Sequence, residues 1–380
     1  MQNPVLKLIK PKTQIMAFYK NLKNYKDSET YPNKQQWITS RLLTLRHDLN
    51  EVIQKDRKPN SLIIGSWNIR AFDGGVLRMD ESYHYIAEII DHFDICAIQE
   101  VKSSLGPLKR LVKLLGPNWD YFVSDVSTHG GGNSERMAFV YNKNRVFFRN
   151  LIGEIVLSKE DLIAGEQIAR SPFFASFQAG WFKFSLCSAH IIFGDDLSLR
   201  AKEIGAIAES LVERAEKEDQ VHIFLGDMNI EDKDDEIMAA LKNSGMTVPE
   251  FGGTNMDGKR WFDQIAFTEK GKATRKTRLL RHGKFDWRHA VFGPHPDDAP
   301  PPLSQEDIDG GKSRLSLNDY LNHYEDIVKE IRKTNKKDPF KDWAKSYRRW
   351  TTDEMSDHLP IWIELEIDYS DDYLRQFLNQ

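Results

Sequence analysis

The sequence predicts an α/β protein, a mixed β-sheet system with helices on its outside. Three observations carry that expectation. From Ser61 onward short apolar runs alternate with amphipathic stretches; four runs between Arg136 and His190 follow one another with only turns between them; and helices separate only some of the strands. The 380 residues suffice for two average domains or one large one with additions, and a composition 40% hydrophobic and 11% aromatic can fill a sizeable core.

Residues 1–58 are polar and read as a helical extension. Within them Trp37, Leu42, Leu45, Leu49 and Ile53 recur at near-helical spacing, closed by KDRKPN. Residues 59–380 read as the main domain. SLIIGSW is a strand; Tyr85, Ile86, Ile89, Ile90 and Phe93 mark a helix; DICAIQ is a strand; LKRLVKLLG is a helix ending at Gly116. RMAFVYN, RVFFRN, FFASFQ and FKFSLCSAH are successive strands, followed by a helix over Ser198–Lys217 and strands at VHIFLG, RWFDQIAF and PIWIELEI. Residues 294–350 interrupt the pattern with a Pro/Gly/Asp-rich loop, a helix bearing Tyr320, Leu321, Tyr324, Ile327, Val328 and Ile331, and the basic aromatic piece KKDPFKDWAKSYRRW, an insertion between two strands.

A formal net charge of -4 argues against a globally basic coat for nucleic acid, although a local basic groove is compatible with it. Cys96 and Cys187 each sit inside an apolar run and read as buried thiols rather than a disulfide framework. The opening residues lack an apolar core of signal-peptide type, and no run approaches the roughly 18 apolar residues of a membrane span, so a cytoplasmic protein is expected.

Several strands end on an acid, an amide or an imidazole. SLIIGSW runs into Asn68, DICAIQ into Glu100, FKFSLCSA into His190, VHIFLG into Asp227 and Asn229, and RWF into Asp263, while Asp357 and His358 precede PIWIELEI. Singly, each has a structural explanation as a turn, cap or solvated terminus. Jointly they do not, because strand ends at one edge of an α/β sheet converge on one cleft. Carboxylates and amide oxygens without cysteine suit a hard cation such as Mg²⁺. Two histidines, each with a carboxylate to fix its tautomer, suit proton transfer at oxygen, and the combination suits hydrolysis of a phosphate ester.

In that order, SWNIRAF, AIQEVK, ERMAFVYN, ARSPFFASF, His190, LGDMNIED, WFDQIAF and SDHLPI resemble the endonuclease/exonuclease/phosphatase superfamily, most closely its deoxyribonuclease I-like branch. The resemblance spans Ser61 to Ile367. It implies a four-layer αββα sandwich of two mixed sheets, with the active site at one edge. It further implies Glu100 as principal metal ligand, supported by Asn68 and Asp357, and Asp227 and Asn229 orienting water and binding the scissile phosphate. His358 would pair with Asp263 and His190 with Glu135; one pair would activate water and the other protonate the leaving oxygen, and which does which stays open. Arg170 would stand close to the phosphate, with Arg70 and Lys102 touching flanking phosphates. The metal would be Mg²⁺, with Mn²⁺ or Ca²⁺ as substitutes.

AP endonucleases typically lack a histidine at the place of His190, which favours the deoxyribonuclease-like branch. The inositol-phosphate phosphatases' longer version of WFDQI is absent; sphingomyelinases share both histidines but are usually exported. The segment THGGGNSER departs from the branch by offering Gly and Asn where a tyrosine would enter the minor groove. The expected activity is a DNA endonuclease or nickase leaving 5′-phosphate and 3′-hydroxyl ends, with a phosphatase or phospholipase C-type phosphodiesterase as the alternative and a non-catalytic scaffold behind both. Nucleic acid, DNA before RNA, is the expected partner.

Thr268–Trp350 carries 19 Lys/Arg against 13 Asp/Glu, so a basic surface there could extend a phosphate-binding groove. Trp343, Tyr347 and Trp350 share one helical face while Lys341, Lys345, Arg348 and Arg349 point elsewhere. That stripe fits core packing better than a platform for stacked bases.

Overall fold

A computed structural model describes residues 17–28, 33–72, 78–126, 135–156, 168, 170–191, 196–269, 277–294, 300–334 and 343–378. Residues 128–134 of THGGGNSER, Lys341, and the side chains of Val328, Ile331 and Trp343 lie outside them.

The first half comprises α1 (Lys34–Leu49), β1 (Ser61–Phe72), α2 (Asp80–Asp91), β2 (Ile95–Lys102), α3 (Gly106–Leu115), β3 (Trp119–Val123), β4 (Glu135–Asn142), β5 (Phe147–Glu154), β6 (Phe173–Ala179) and β7 (Phe182–His190). The second half comprises α4 (Leu197–Lys217), β8 (Val221–Asp227), α5 (Glu236–Asn243), β9 (Asp263–Phe267), β10 (Leu279–Lys284), α6 (Gln305–Asp309), α7 (Leu317–Thr334), α8 (Trp343–Glu354), β11 (Ile361–Glu366) and α9 (Ser370–Arg375). One six-stranded sheet runs β10-β11-β1-β2-β4-β3 and one five-stranded sheet runs β5-β6-β7-β8-β9. Both are mixed, since β1 is parallel to β2 and β7 to β8 while the other pairs are antiparallel.

Alternation along each strand decides the layering. Leu62, Ile64, Ile95, Ala97 and Phe139 face Phe177, Phe184, Leu186, Ile223 and Ile265 between the sheets. The opposite face of the first sheet, with Ile63, Trp67, Ile98 and Val140, packs on α1, α2, α3, α7 and α8. The opposite face of the second, with Phe174, Cys187, Phe224 and Ala266, packs on α4 and α5. The result is the four-layer αββα sandwich.

Local chemistry explains the helix ends. Asp196 Oδ1 accepts from Leu199 N (2.9 Å) to start α4, and Asp235 Oδ1 accepts from Met238 N (2.7 Å) to start α5. Leu108, Leu111, Leu114 and Leu115 make the buried stripe of α3, which stops at Gly116 with φ 100°. Both cysteines are free and buried.

The near-helical spacing from Trp37 to Ile53 is α-helical only to Leu49, after which Asn50–Gln54 forms a π turn. The strand expected at RWFDQIAF begins only at Asp263. β3 and β10, both edge strands of the six-stranded sheet, were not among the strands expected from sequence.

α1 and the 294–350 segment brace one another. The ring of Trp37 stacks on His323 with centroids 3.5 Å apart, and its Nε1 donates to Tyr324 Oη at 2.7 Å. Arg41 donates to Tyr320 Oη (2.9 Å) and Arg314 to Asp48 (2.6 Å). Tyr347 and Trp350 are buried against Phe292 and Tyr324, so their stripe is core rather than a stacking platform. Among the described residues no helix is long and apolar enough to cross a membrane.

Candidate active site

Strand register assembles the site. His190 at the end of β7 pairs with Asp227 at the end of β8, and Asp227 pairs with Asp263 at the start of β9, so three ionisable residues occupy one row. Gly226 permits this row: its φ is 133°, and a Cβ there would lie 2.0 Å from the carbonyl oxygen of Ala189. On the first sheet the β1–β2 register shifts between Asn68 and Phe72, and Glu100 adopts φ 61° within that irregularity. Ala71 and Asn229 also have positive φ, 42° and 51°. Left-handed backbone at such residues costs of order 1 kcal/mol each and collects where a site must aim its side chains.

Asp227 lies at the centre. Its Oδ2 accepts from Asn68 Nδ2 (2.8 Å) and stands 3.5 Å from His190 Nε2 and 3.8 Å from His358 Nε2. Its Oδ1 accepts from the backbone N–H of Asn229 (3.0 Å), whose own Nδ2 donates to Ile191 O (2.6 Å). Each imidazole keeps a second carboxylate on Nδ1: Asp263 Oδ2 at 2.8 Å from His358, and Glu135 Oε2 at 3.2 Å from His190. All eight of these residues are buried.

Charge is distributed accordingly. Burial pushes the His358 imidazole down, but Asp263 and Asp227 beside it prevail and raise it to about 10. Burial likewise works to raise Glu135, yet His190, Lys102 and Arg170 hold it at about 2.

Asn68 Nδ2 also donates to Glu100 Oε1 (3.0 Å), whose Oε2 accepts from Ala71 N (2.8 Å). Asn68 Oδ1 is buried with no hydrogen-bond partner among the described residues. A buried, unpartnered amide oxygen beside a carboxylate fits a hard divalent cation, which takes oxygen donors. Asp227, Asp263 and His358 also offer atoms within 4.8 Å of one another. In that trio Asp263 Oδ2 is already engaged by His358 and by Thr254 Oγ1 (2.6 Å), as a proton-relay carboxylate would be.

The remaining expected residues stand at the rim or behind the centre. Asp357 is partly exposed and lies 3.6 Å from Arg70, which is also held by Thr352 Oγ1 (2.6 Å) and Asp353 (3.5 Å). Lys102 donates to Glu135 Oε1 (2.7 Å), so it steadies the His190 carboxylate instead of reaching outward. Arg170 is buried, 3.5 Å from Glu135.

Two residues were not singled out by sequence. Ser356 Oγ donates to Asn68 O (2.6 Å) and accepts from His358 N (3.0 Å) and Arg70 N (3.2 Å), tying the SDH turn to β1. Thr254 fixes Asp263. Ser356 stood within a quoted motif and Thr254 within a Gly-Gly-Thr-Asn run that reads as a turn.

A family model described as the endonuclease/exonuclease/phosphatase family matches residues 65–303. No curated protein matches the chain. Solved structures of similar fold include a family member from Bacteroides thetaiotaomicron (18% identity, 82% of this chain and 99% of that one, TM-score 0.49). Others are D. rerio TDP2 complexed with a single-strand DNA product (15%, 80% and 98%, 0.48) and the catalytic domain of human Nocturnin (13%, 81% and 94%, 0.49).

Proposed function

The chain belongs to the endonuclease/exonuclease/phosphatase family, and on that premise we propose that it is a Mg²⁺-dependent phosphodiesterase that hydrolyses nucleic acid, DNA before RNA. The observation that carries the reading is Asp227 Oδ2 lying within 3.8 Å of Nε2 on two imidazoles, each backed by its own carboxylate. A phosphoryl centre there meets two groups able to move a proton and one carboxylate able to orient water. The His190–Glu135 pair favours the deoxyribonuclease-like branch within the family.

Glu100, Asn68 and Asp357 would hold the cation, which when bound neutralises charge on the phosphate oxygens. His358, aligned by Asp263, and His190, aligned by Glu135, divide the two proton transfers between them: one takes the proton of the attacking water, the other gives one to the departing sugar oxygen. Asp227, held by Asn68 and the Asn229 backbone, orients the water, and Asn229 and Arg170 contact the phosphate. The products are a 5′-phosphate and a 3′-hydroxyl. Residues 59–380 form the catalytic domain in this reading, with 1–58 as an extension and 294–350 as an insertion.

Supercoiled plasmid tests it. Nicking with Mg²⁺ or Mn²⁺, stopped by EDTA and lost in His190→Ala and His358→Ala, is expected. Inert DNA alongside hydrolysis of a sphingolipid headgroup or a soluble phosphate monoester would move the same site to the other substrate class.

A further inference from the structure

A second concavity opens beside this site. It encloses about 380 Å³ between α8 and the loop containing Met256, within the range of pockets that take small ligands. Met256, Phe292 and Leu317 supply an apolar lining, and Lys345, Arg348 and Arg349 stand exposed at its edge. Asp257 also lines it, but its Oδ1 accepts from Asn255 Nδ2 (2.6 Å) within its own loop. Arg288 holds the Met256 strip by donating to Met256 O (2.7 Å) and pairs with Asp286.

Both walls lead into the candidate active site. Asn255 forms an antiparallel bridge with His358, and Leu359 N donates to Thr254 O (2.7 Å), so the strip ending at Met256 is tied to the catalytic turn. On the other side Thr352, which lines the pocket, accepts from Arg70, and Arg70 faces Asp357. The α8 wall lies beyond residue 303, where the family match ends.

We infer that this pocket is a nucleotide subsite of the proposed nuclease, receiving a base on its apolar lining and the adjoining phosphate at Lys345, Arg348 and Arg349. The inference rests on the functional reading above. Charge selects the occupant: an apolar chamber with a cationic edge matches a flat base joined to an anionic phosphate, and guanidinium groups can also stack on bases. One side chain, Arg70, contacts both Thr352 on the pocket wall (2.6 Å) and Asp357 in the catalytic turn (3.6 Å), so a strand with its scissile bond at Asp227 can place a neighbouring nucleotide here.

The test compares kcat/KM for a short single-stranded oligonucleotide with kcat/KM for bis(p-nitrophenyl) phosphate, which is too small to reach both places. Lys345→Ala with Arg348→Ala, and separately Met256→Trp, which fills the chamber and removes no charge, are each expected to lower the oligonucleotide-to-small-ester ratio about tenfold. The fall should appear in KM. Melting curves verify folding, and the charge variants lie on the surface, so the measurement survives loss of the Met256 variant. A ratio equal to wild type in folded variants overturns the subsite alone. A fall in the charge variants with none in Met256→Trp also overturns it, since the edge would then attract backbone without the pocket being filled. A wild-type enzyme that turns over the small ester but no oligonucleotide overturns the functional reading, and the subsite with it.

Discussion

Nδ1 of His358 stands 2.8 Å from Oδ2 of Asp263, and the same oxygen accepts from Thr254 Oγ1 at 2.6 Å. One carboxylate oxygen therefore fixes the imidazole and is itself fixed. Asp263→Asn removes the charge that favours the imidazolium and lets an amide N–H face the ring, so phosphodiester hydrolysis should fall by at least about 10²-fold. Thr254→Val frees the carboxylate to rotate and should cost less, several-fold in kcat with KM held. Steady-state kinetics on plasmid or oligonucleotide checks both; Asp263→Asn within threefold of wild type would remove the pair from the chemistry.

Lys102 separates two roles for a half-buried cation. As a contact to flanking phosphate it would influence binding and its salt dependence; as the partner of Glu135 at 2.7 Å it steadies the carboxylate that aligns His190. Lys102→Met should therefore lower kcat roughly tenfold. The slope of log KM against log salt should stay at its wild-type value, where loss of a phosphate contact would reduce it by about one.

These residues also mark how far sequence reached. Glu100, His190, Asp227 and Asp263 were legible because each terminates or begins an apolar strand, and strand ends converge. What sequence could not supply was partner choice. Lys102 and Arg70 face acids of their own chain, Glu135 and Asp353, through contacts spanning tens to hundreds of residues, which no local pattern encodes. The strands β3 and β10 escaped because Asp120 interrupts the first and Arg281 and His282 the second, leaving no continuous apolar run in either. The buried fate of Tyr347 and Trp350 was readable from spacing, but the pocket beside them depends on how α8 meets the Met256 loop.

Away from the site, His92 gives a pH dependence to stability. Burial depresses its imidazole to about 4 against an ordinary 6.5, while its Nδ1 lies 2.8 Å from Glu88 O. The folded state then binds fewer protons than the unfolded one between these values. Stability from this residue is complete above about pH 6.5 and declines as pH falls towards 4, by up to about 3 kcal/mol at roughly 1.4 kcal/mol per unit. Urea midpoints at pH 7.5 and 4.5 should differ less for His92→Gln than for wild type. Equal differences would mean that His84, His222 and His323, each also held near 4 with burial the leading cause, account for the acid loss.

A single amide nitrogen, Asn68 Nδ2, bridges Glu100 at 3.0 Å and Asp227 at 2.8 Å, so two carboxylates crowd one donor while Asn68 Oδ1 has no partner among the described residues. Such crowding is unfavourable until a cation enters, and any ligand of the folded state raises stability by mass action, about 2.7 kcal/mol at a hundredfold excess over Kd. Mg²⁺ should therefore raise the melting temperature of the wild-type protein by a few degrees. Glu100→Gln removes one of the two charges, so without metal it should melt at or above wild type, and adding Mg²⁺ should leave it where it was. Differential scanning fluorimetry reads this without reference to activity. An undiminished Mg²⁺ response in Glu100→Gln would place the cation elsewhere and take Glu100 out of its coordination.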